Sequence, residues 1–448
     1  MNCPGLPTDP LEVARLVREG RPDDLVGMEA SSYNLHRKLR GRIRSTPEEF
    51  VACEVMRDGS VATTMHYRAR SGGDVPIYVL SKRNLDTRSA LNAFSSALGL
   101  KPWEISYLGL KDKRALTFQF VSTTRPQRGA PSVLRGKQWQ ARLHYMSDKP
   151  LRPADLSGNM FWTYVRLHKA VPVDRLQAIL SEFKSGASRG GMLNFFGYQR
   201  FGGRRPINHI AGYLIAKREY EAAVRVILGT PSISEGNLTG EARRSFLEEN
   251  SRASLLHFAR SHLLLDRSLA KNMIRHGGDG RKSVLGLPTV LLRFLLESFS
   301  AFIFNRCVSH MRDELLRDEV LKELLYVPLD ERGVPLMACA APTPSSTKII
   351  EDEIRRGKAT AALTCPGYLV GKIISSETMA IMDELGVTCG SFFLQERPEV
   401  GFPGQLRAAT VVPRVISATA VDEFTALLSF FLPRSSYATV FLRELLHA

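Results

Sequence analysis

No two cysteines in this chain are spaced to share a metal ion. The six, at positions 3, 53, 307, 339, 365 and 389, include no Cys-x-x-Cys pair, and the ten histidines include no His-Glu-x-x-His. His257 and His262 are five apart, off one helical face. A disulfide framework and structural zinc are therefore not expected, and the pattern is that of a reduced intracellular protein that binds no metal. Long apolar runs are also missing. The best candidate, Leu291 to Phe304, is interrupted by Arg293 and Glu297, so it reads as a core helix and no membrane partner is expected. The N-terminus carries Asp9 and Glu12 and no apolar signal core, which predicts the cytoplasm, with the nucleus as the alternative. Gly277 to Ser283 resembles a phosphate-binding loop, but Arg281 stands where the second glycine is required and no strand precedes it. There is no internal repeat and no signal for a particular oligomeric state.

Acidic residues are outnumbered. Against 61 Lys and Arg stand 45 Asp and Glu, a net charge of +16, which points to a nucleic acid or another anionic surface. With 448 residues and 44% apolar content, the chain can bury a large core in two or three domains.

The most informative stretch is Tyr107-Leu-Gly-Leu-Lys-Asp-Lys-Arg-Ala-Leu-Thr-Phe-Gln119. It sets Asp112 among Lys111, Lys113 and Arg114 in what reads as a hairpin turn. Ile105 to Leu108 is a short apolar run, and Thr117 to Ser122 carries Phe118 and Phe120 in the alternation of a half-buried strand. Adjacent cations favour the ionised carboxylate, the form a nucleophile needs, and they recruit a polyanion such as an RNA backbone. A solvated charged turn is the structural alternative.

Around that stretch the first half alternates elements. Residues 1–40 read as an appendage opening with a short helix capped by Asp9-Pro10. Strands are expected at Ile77–Leu80, Trp139–Tyr145 and Phe161–Leu167. A helix capped by Asp86 or Thr87 should stop at Gly99, and another should open at Asp174. Thr124–Pro131 reads as a loop, and Lys184–Gly191 as a flexible Gly/Ser linker. Beyond Phe196 long helical patterns dominate, at Ile210–Leu228, Ser251–Ile274 and Thr289–Arg312. Ser417–Leu428 reads as helix-like.

Several segments together resemble one family. Gly109 through Gln119 fits Gly-x-Lys-Asp-(Lys/Arg)-x-Ala-x-Thr-x-Gln at every fixed position. Ser45-Thr-Pro-Glu-Glu-Phe-Val-Ala-Cys-Glu54, Gly158-Asn-Met-Phe161 and Asn194-Phe-Phe-Gly-Tyr-Gln-Arg-Phe-Gly202 follow in the required order, and Leu432-Pro433 with Ser436 to Leu445 resembles the closing segment. These are the signatures of the TruD family of RNA pseudouridine synthases, and they span residues 44 to 445.

The resemblance implies an α+β fold: a pseudouridine-synthase catalytic domain with a mixed, largely antiparallel sheet flanked by helices, plus a family-specific α/β insertion (TRUD) domain. The expected divisions are an N-terminal extension at 1–40, catalytic parts at 41–195 and 412–448, and the insertion at 196–411. It implies isomerisation of a flipped-out uridine in structured RNA, most commonly tRNA at uridine 13, without a cofactor. Asp112 is then the nucleophile, Phe161 stacks on the uracil, Asn159 shapes the site and Arg44, where many members carry lysine, pairs with Asp112. Glu49 stands where the family has aspartate. Phe50 and Glu54 are expected to complete a pocket wall and an ion pair, and Gln119 to hold Asp112 in place. Phe50, Lys111, Lys113, Arg114, Gln119, Arg200, Arg204 and Arg205 are candidate substrate or RNA contacts, while Asn194 and Phe196 are expected to pack a joint between domains. The alternatives are a non-catalytic RNA-binding protein on the same scaffold and activity on a different tRNA uridine.

Overall fold

A computed structural model of the chain describes residues 6–20, 22–63, 72–127, 129–189, 191–232, 235–317, 319–336 and 339–446. Cys3, Arg128 and Gly190 lie outside them. The first eight strands are β1 (Gly41–Ile43), β2 (Phe50–Met56), β3 (Val75–Arg83), β4 (Ile105–Tyr107), β5 (Leu116–Thr123), β6 (Val133–Arg135), β7 (Trp139–Ser147) and β8 (Leu156–Leu167). Further along come β9 (Met192–Leu193), β10 (Leu325–Pro328), β11 (Ala359–Cys365), β12 (Gln405–Ala408), β13 (Thr410–Val411), β14 (Arg414–Asp422) and β15 (Thr425–Pro433). One ten-stranded sheet runs in the order β14-β15-β8-β2-β5-β3-β7-β6, with β1 beside β8 and β4 beside β5. Among the described residues its pairings are antiparallel except that of β2 with β5. This is the α+β fold with a mixed, largely antiparallel sheet. Strands β10, β11 and β12 form a small separate sheet, and β9 pairs with β13.

Alternation divides the sheet's side chains. On one face Ile77, Val79, Phe120 and Tyr145 build a core of their own. On the other, the helix Thr87–Ala97 covers Tyr78, Leu80 and Val121 with Leu91 and Phe94. Further along that face Phe50, Ala52, Phe161 and Phe430 join the largest core, which continues through the C-terminal helix Ala438–Leu445 and the long helix Thr289–His310. Between these two apolar covers the register leaves a strip of polar positions: Lys82 and Thr117 in one row, and Gln119, Glu54 and Asn159 in the next.

Five expectations are corrected. The N-terminal residues are not an appendage: Val13, Val26, Met28 and Leu39 are buried in the largest core. Ser32 bonds the buried Glu444 carboxylate, and Arg443 pairs with Asp23 at 2.6 Å. The Lys184–Gly191 segment is no linker, since the helix Val173–Arg189 runs through most of it, with Ala187 buried and Gly186 against the Tyr33 ring. Ser417–Leu428 is not helical; it spans the β14–β15 hairpin, whose two-residue turn is fastened by Asp422 accepting from the Phe424 N–H at 2.8 Å. Edge strand β14 is covered by that same helix, whose Gln177 amide accepts from the Ala420 N–H and donates to the Ala418 carbonyl. Two long helical patterns are each broken in two. Asn208–Ala216 and Tyr220–Gly229 are separated at Arg218 (φ +65°), whose guanidinium bonds carbonyls of Ala216 and Phe393. Arg252–Ala259 and Leu264–Arg275 are likewise distinct. Among the described residues no helix is long and apolar enough to cross a membrane.

Candidate active site

Strands β4 and β5 pair antiparallel, so Asp112 lies in a hairpin loop as expected, but the loop is wide, covering residues 108–115. It arches over the polar strip and is gripped from below. The Lys82 ammonium, almost fully buried, donates to the carbonyls of Asp112 at 2.7 Å, Leu85 at 2.8 Å and Lys111 at 3.4 Å. Burial lowers its pKa to about 8 against the opposing pull of Asp112 and Asp86. The Thr87 hydroxyl, on the first turn of the covering helix, accepts from the Lys111 N–H and donates to the Lys111 carbonyl.

Lys111 itself turns inward. Its ammonium lies 2.8 Å from Glu54, whose side chain is wholly buried and whose other oxygen accepts from the Phe120 N–H. Burial pushes the Glu54 carboxyl up, and Lys111 opposes that rise. Lys111 is thus corrected from an RNA contact to an internal partner. The reason is the strip: a carboxylate buried on a strand needs a cation, and the loop supplies the nearest one.

The Asp112 carboxylate faces the other way. Oδ2 accepts from the Arg44 guanidinium at 2.7 Å, so the arginine in place of lysine reaches it. Arg44 follows β1 in a left-handed backbone conformation (φ +64°) and lies 4.0 Å over the face of Phe50. Phe50 is fully buried, so its ring carries the arginine and is not itself open to RNA. From Phe50 an aromatic series leads on: Phe161 at 5.7 Å, Phe430 stacked on Phe161 at 5.2 Å, and Phe441 beyond at 4.6 Å. Glu49, the residue that departs from the family pattern, pairs with Arg166 at 2.9 Å.

Arg44, Asp112, Asn159 and Phe161 line one open cavity of about 370 Å³, with Ala52, Leu110 and Lys111. The rest of the wall comes from Gln199 and from Ser436, Tyr437, Ala438 and Thr439, the turn into the C-terminal helix. Arg407 positions that turn: buried over the Phe196 ring at 4.1 Å, its guanidinium bonds the carbonyls of Asn194 and Ser435 and the Asn194 side chain. Asn194 and Phe196 are buried there. At the cavity, Arg44 Nε, Asn159 Oδ1 and Ser436 Oγ are buried with no hydrogen-bond partner among the described residues. The site therefore offers a carboxylate, an aromatic ring and unmatched polar atoms in one pocket.

The other expected residues divide. Lys113 and Arg114 are exposed on the same loop. Gln119 is fully buried beneath it with neither amide atom bonded among the described residues, so it is corrected both as an RNA contact and as a hydrogen-bonding support for Asp112. Arg200 pairs with Glu297 at 3.0 Å between the rings of Phe196 and Phe294, and Arg205 lies inside, on Asp266 at 2.7 Å. Arg205 is corrected from an RNA contact to an internal partner, whereas Arg200 and Glu297 are half-buried; of the three arginines only Arg204 is exposed. Lys82, Gln199, Ser436 and Tyr437 were missed. Gln199 and the Ser436-Tyr437 pair stand inside motifs that marked the family, and position in those motifs was a usable signal. Lys82, at the end of an apolar strand, gave none.

A family model described as tRNA pseudouridine synthase D (TruD) matches residues 26–445. A probable tRNA pseudouridine synthase D from Pyrococcus abyssi is 30% identical over 412 residues, 91% of this chain and 96% of its own. That from Pyrococcus furiosus is 29% identical over 414 residues, with the same coverage of both chains. Among solved structures, the putative TruD of Methanosarcina mazei superposes with a TM-score of 0.74 at 24% identity, covering 94% of this chain and 97% of that one, which shows a shared fold.

Proposed function

Because this chain belongs to the tRNA pseudouridine synthase D (TruD) family, we propose that it isomerises a flipped-out uridine of structured RNA, tRNA uridine 13 foremost, to pseudouridine with Asp112 as nucleophile. The observation that carries this reading is the carboxylate of Asp112, held by Arg44 at 2.7 Å, in the same cavity as the ring of Phe161.

The reaction breaks the N1–C1′ bond and joins C5 to C1′. An Asp112 oxygen adds to C1′ or to the ring at C6, and the base is freed from the sugar and turns within the pocket. C5 then bonds to C1′, the Asp112 adduct releases, the hydrogen on C5 leaves as a proton and N1 ends protonated. Nothing is oxidised or reduced and no group leaves the molecule, so the chemistry calls for no cofactor. Its demands are a positioned oxygen, a grip on the detached uracil and exclusion of water. Arg44 holds the Asp112 carboxylate in position through the 2.7 Å contact to Oδ2. Phe161 offers one face to the base, a contact worth about 1–3 kcal/mol. Asn159 Oδ1, without a partner among the described residues, can accept from the uracil N3–H. The nucleotide must leave its stack to enter, since its C1′ and C6 are shielded in a helix.

Lys113, Arg114 and Arg204, exposed on a chain of net charge +16, are the proposed phosphate contacts. Residues 41–195 and 412–448 form the proposed catalytic domain, with 196–411 inserted between them. The test is incubation with a transcribed tRNA and with the same tRNA carrying cytidine at position 13, followed by pseudouridine mapping. Modification at 13 that disappears with the cytidine supports the reading; modification elsewhere moves the site, and none at any position ends the proposal.

A further inference from the structure

A second cavity is larger than the one that holds Asp112. It measures about 1040 Å³ and lies just past the helical turn Tyr198–Phe201, among helices of the segment that interrupts the sheet. Gln199 on that turn lines the Asp112 cavity, while Gly202 and Arg204 just after it line the larger one. The chain reverses at Gly202 (φ +112°), where a Cβ would come within 2.3 Å of the Arg205 carbonyl oxygen, so the turn is fixed by glycine.

Charge in the wall is one-sided. Its two acids, Glu235 and Asp266, are both matched: Arg243 pairs with Glu235 at 2.6 Å and Asp266 at 2.8 Å, and Arg205 takes the other Asp266 oxygen. The same two arginines bond the carbonyls of Ile227, Leu228 and Thr230, which ties the network to the end of the helix Tyr220–Gly229. Two cations remain, Arg204 and Arg260, exposed and in no ion pair among the described residues. In the same wall Leu256, Leu263 and Leu264 stay exposed, an arrangement that is costly in water. Cations flanking apolar side chains match a nucleotide chain, with phosphates on the arginines and sugar or base faces on the leucines. A volume of 1040 Å³ is roughly 10 Å on a side, room for a few nucleotides only, and it is the splayed bases of single-stranded segments that are free to lay their faces on side chains. The occupant is therefore unpaired.

We propose that this cavity is a second RNA-binding site, which seats unpaired nucleotides of the substrate at a distance from the target uridine. The inference rests on the isomerase reading and deepens it. It makes part of the enzyme's selection of substrate depend on an unpaired segment outside the modified arm.

The experiment measures affinity by fluorescence anisotropy for a full-length tRNA and for a short hairpin carrying only the target uridine's arm, over a range of salt. Arg204→Ala/Arg260→Ala should weaken binding of the full tRNA about tenfold at moderate salt and flatten the log–log salt dependence by about 2. The hairpin, which lacks the segment that reaches the cavity, should lose less than twofold. Arg260→Glu, which adds repulsion at an exposed position, should act in the same direction with its thermal unfolding unaltered. Unchanged affinity and salt slope in both variants would overturn the site and leave the cavity to a different anionic partner, such as an acidic protein segment. Equal losses on both RNAs would also overturn it, placing the arginines on the target arm. Because affinity needs no turnover, the result stays readable should the protein form no pseudouridine; pseudouridine formation with unaltered affinity would sink this inference alone.

Discussion

The Arg44 guanidinium is held between two partners, donating to Asp112 Oδ2 at 2.7 Å while lying 4.0 Å above the Phe50 ring. A planar cation can satisfy both at once; a compact ammonium stacks less well and reaches from a different point. Arg44→Lys should therefore keep the charge beside Asp112 and lose its aim. Expected is a fall in kcat of about tenfold, equal to about 1.4 kcal/mol of transition-state stabilisation, with KM for tRNA nearly constant. A KM effect without a kcat effect would make Arg44 an RNA anchor instead.

Phe161 has two duties that one substitution can separate. Its ring is packed against Phe50 and Phe430, so Phe161→Ala should cost roughly 3–5 kcal/mol of stability and say little about catalysis. Phe161→Leu keeps most of the volume. It should remain folded, losing on the order of 1 kcal/mol, yet kcat/KM should drop by about ten- to a hundredfold through loss of stacking on the base. Thermal unfolding and steady-state kinetics on the same preparation decide it; wild-type kinetics would reduce Phe161 to a core residue.

The Lys82 ammonium grips two carbonyls of the Asp112 loop and that of Leu85, and burial brings its pKa from an ordinary 10.5 to about 8. The charged and titratable groups acting on it are Asp112, Asp86 and Lys111. Between pH 8 and 10.5 the unfolded lysine holds a proton that the folded one has lost, so stability rises with pH across that window. Activity should move oppositely. As the ammonium discharges above about pH 8 the grip on the Asp112 loop slackens, and kcat should decline with KM steady. Lys82→Met should lower kcat by about ten- to a hundredfold, the scale of a small misplacement of a reacting group. It should also abolish that alkaline decline. A pH profile of the variant parallel to wild type would contradict the assignment.

Glu54 and Lys111 form a buried pair at 2.8 Å, and breaking such a pair costs about 3–5 kcal/mol because one charge is stranded. Glu54→Gln and Lys111→Met should each destabilise on that scale, and the double variant by less than their sum. The pH dependence distinguishes them. A carboxyl whose folded pKa is raised contributes stability at low pH that is lost as pH rises through that value, and Lys111 opposes the rise in Glu54. Lys111→Met should therefore regain stability as pH is lowered towards the carboxylate range, and the double variant should not. Denaturant titrations at several pH values test this.

Much of this was legible beforehand where local chemistry and long-range packing agree. The Asp112 hairpin, the Asp86-capped helix and strand β3 follow from alternation and capping, which neighbours reinforce. Ser417–Leu428 failed because apolar residues there suit two periods, and only pairing with β8 selects the strand. Side-chain direction was the harder matter. Lys111, Arg200 and Arg205 look like a surface in sequence, yet each is paired with an acid that is 54, 266 or 297 in the chain, and no local pattern announces such partners. Lys82 was invisible for the same reason: its acceptors are backbone carbonyls, which any sequence supplies.

The most direct test follows the hydrogen on C5. Transcribed tRNA labelled with tritium at C5 of uridine must release that label as a proton when C5 bonds to C1′. The wild-type protein should release the label of one uridine per tRNA, while Asp112→Asn should bind the tRNA with unchanged affinity and release none. Release by Asp112→Asn at the wild-type rate would contradict the account.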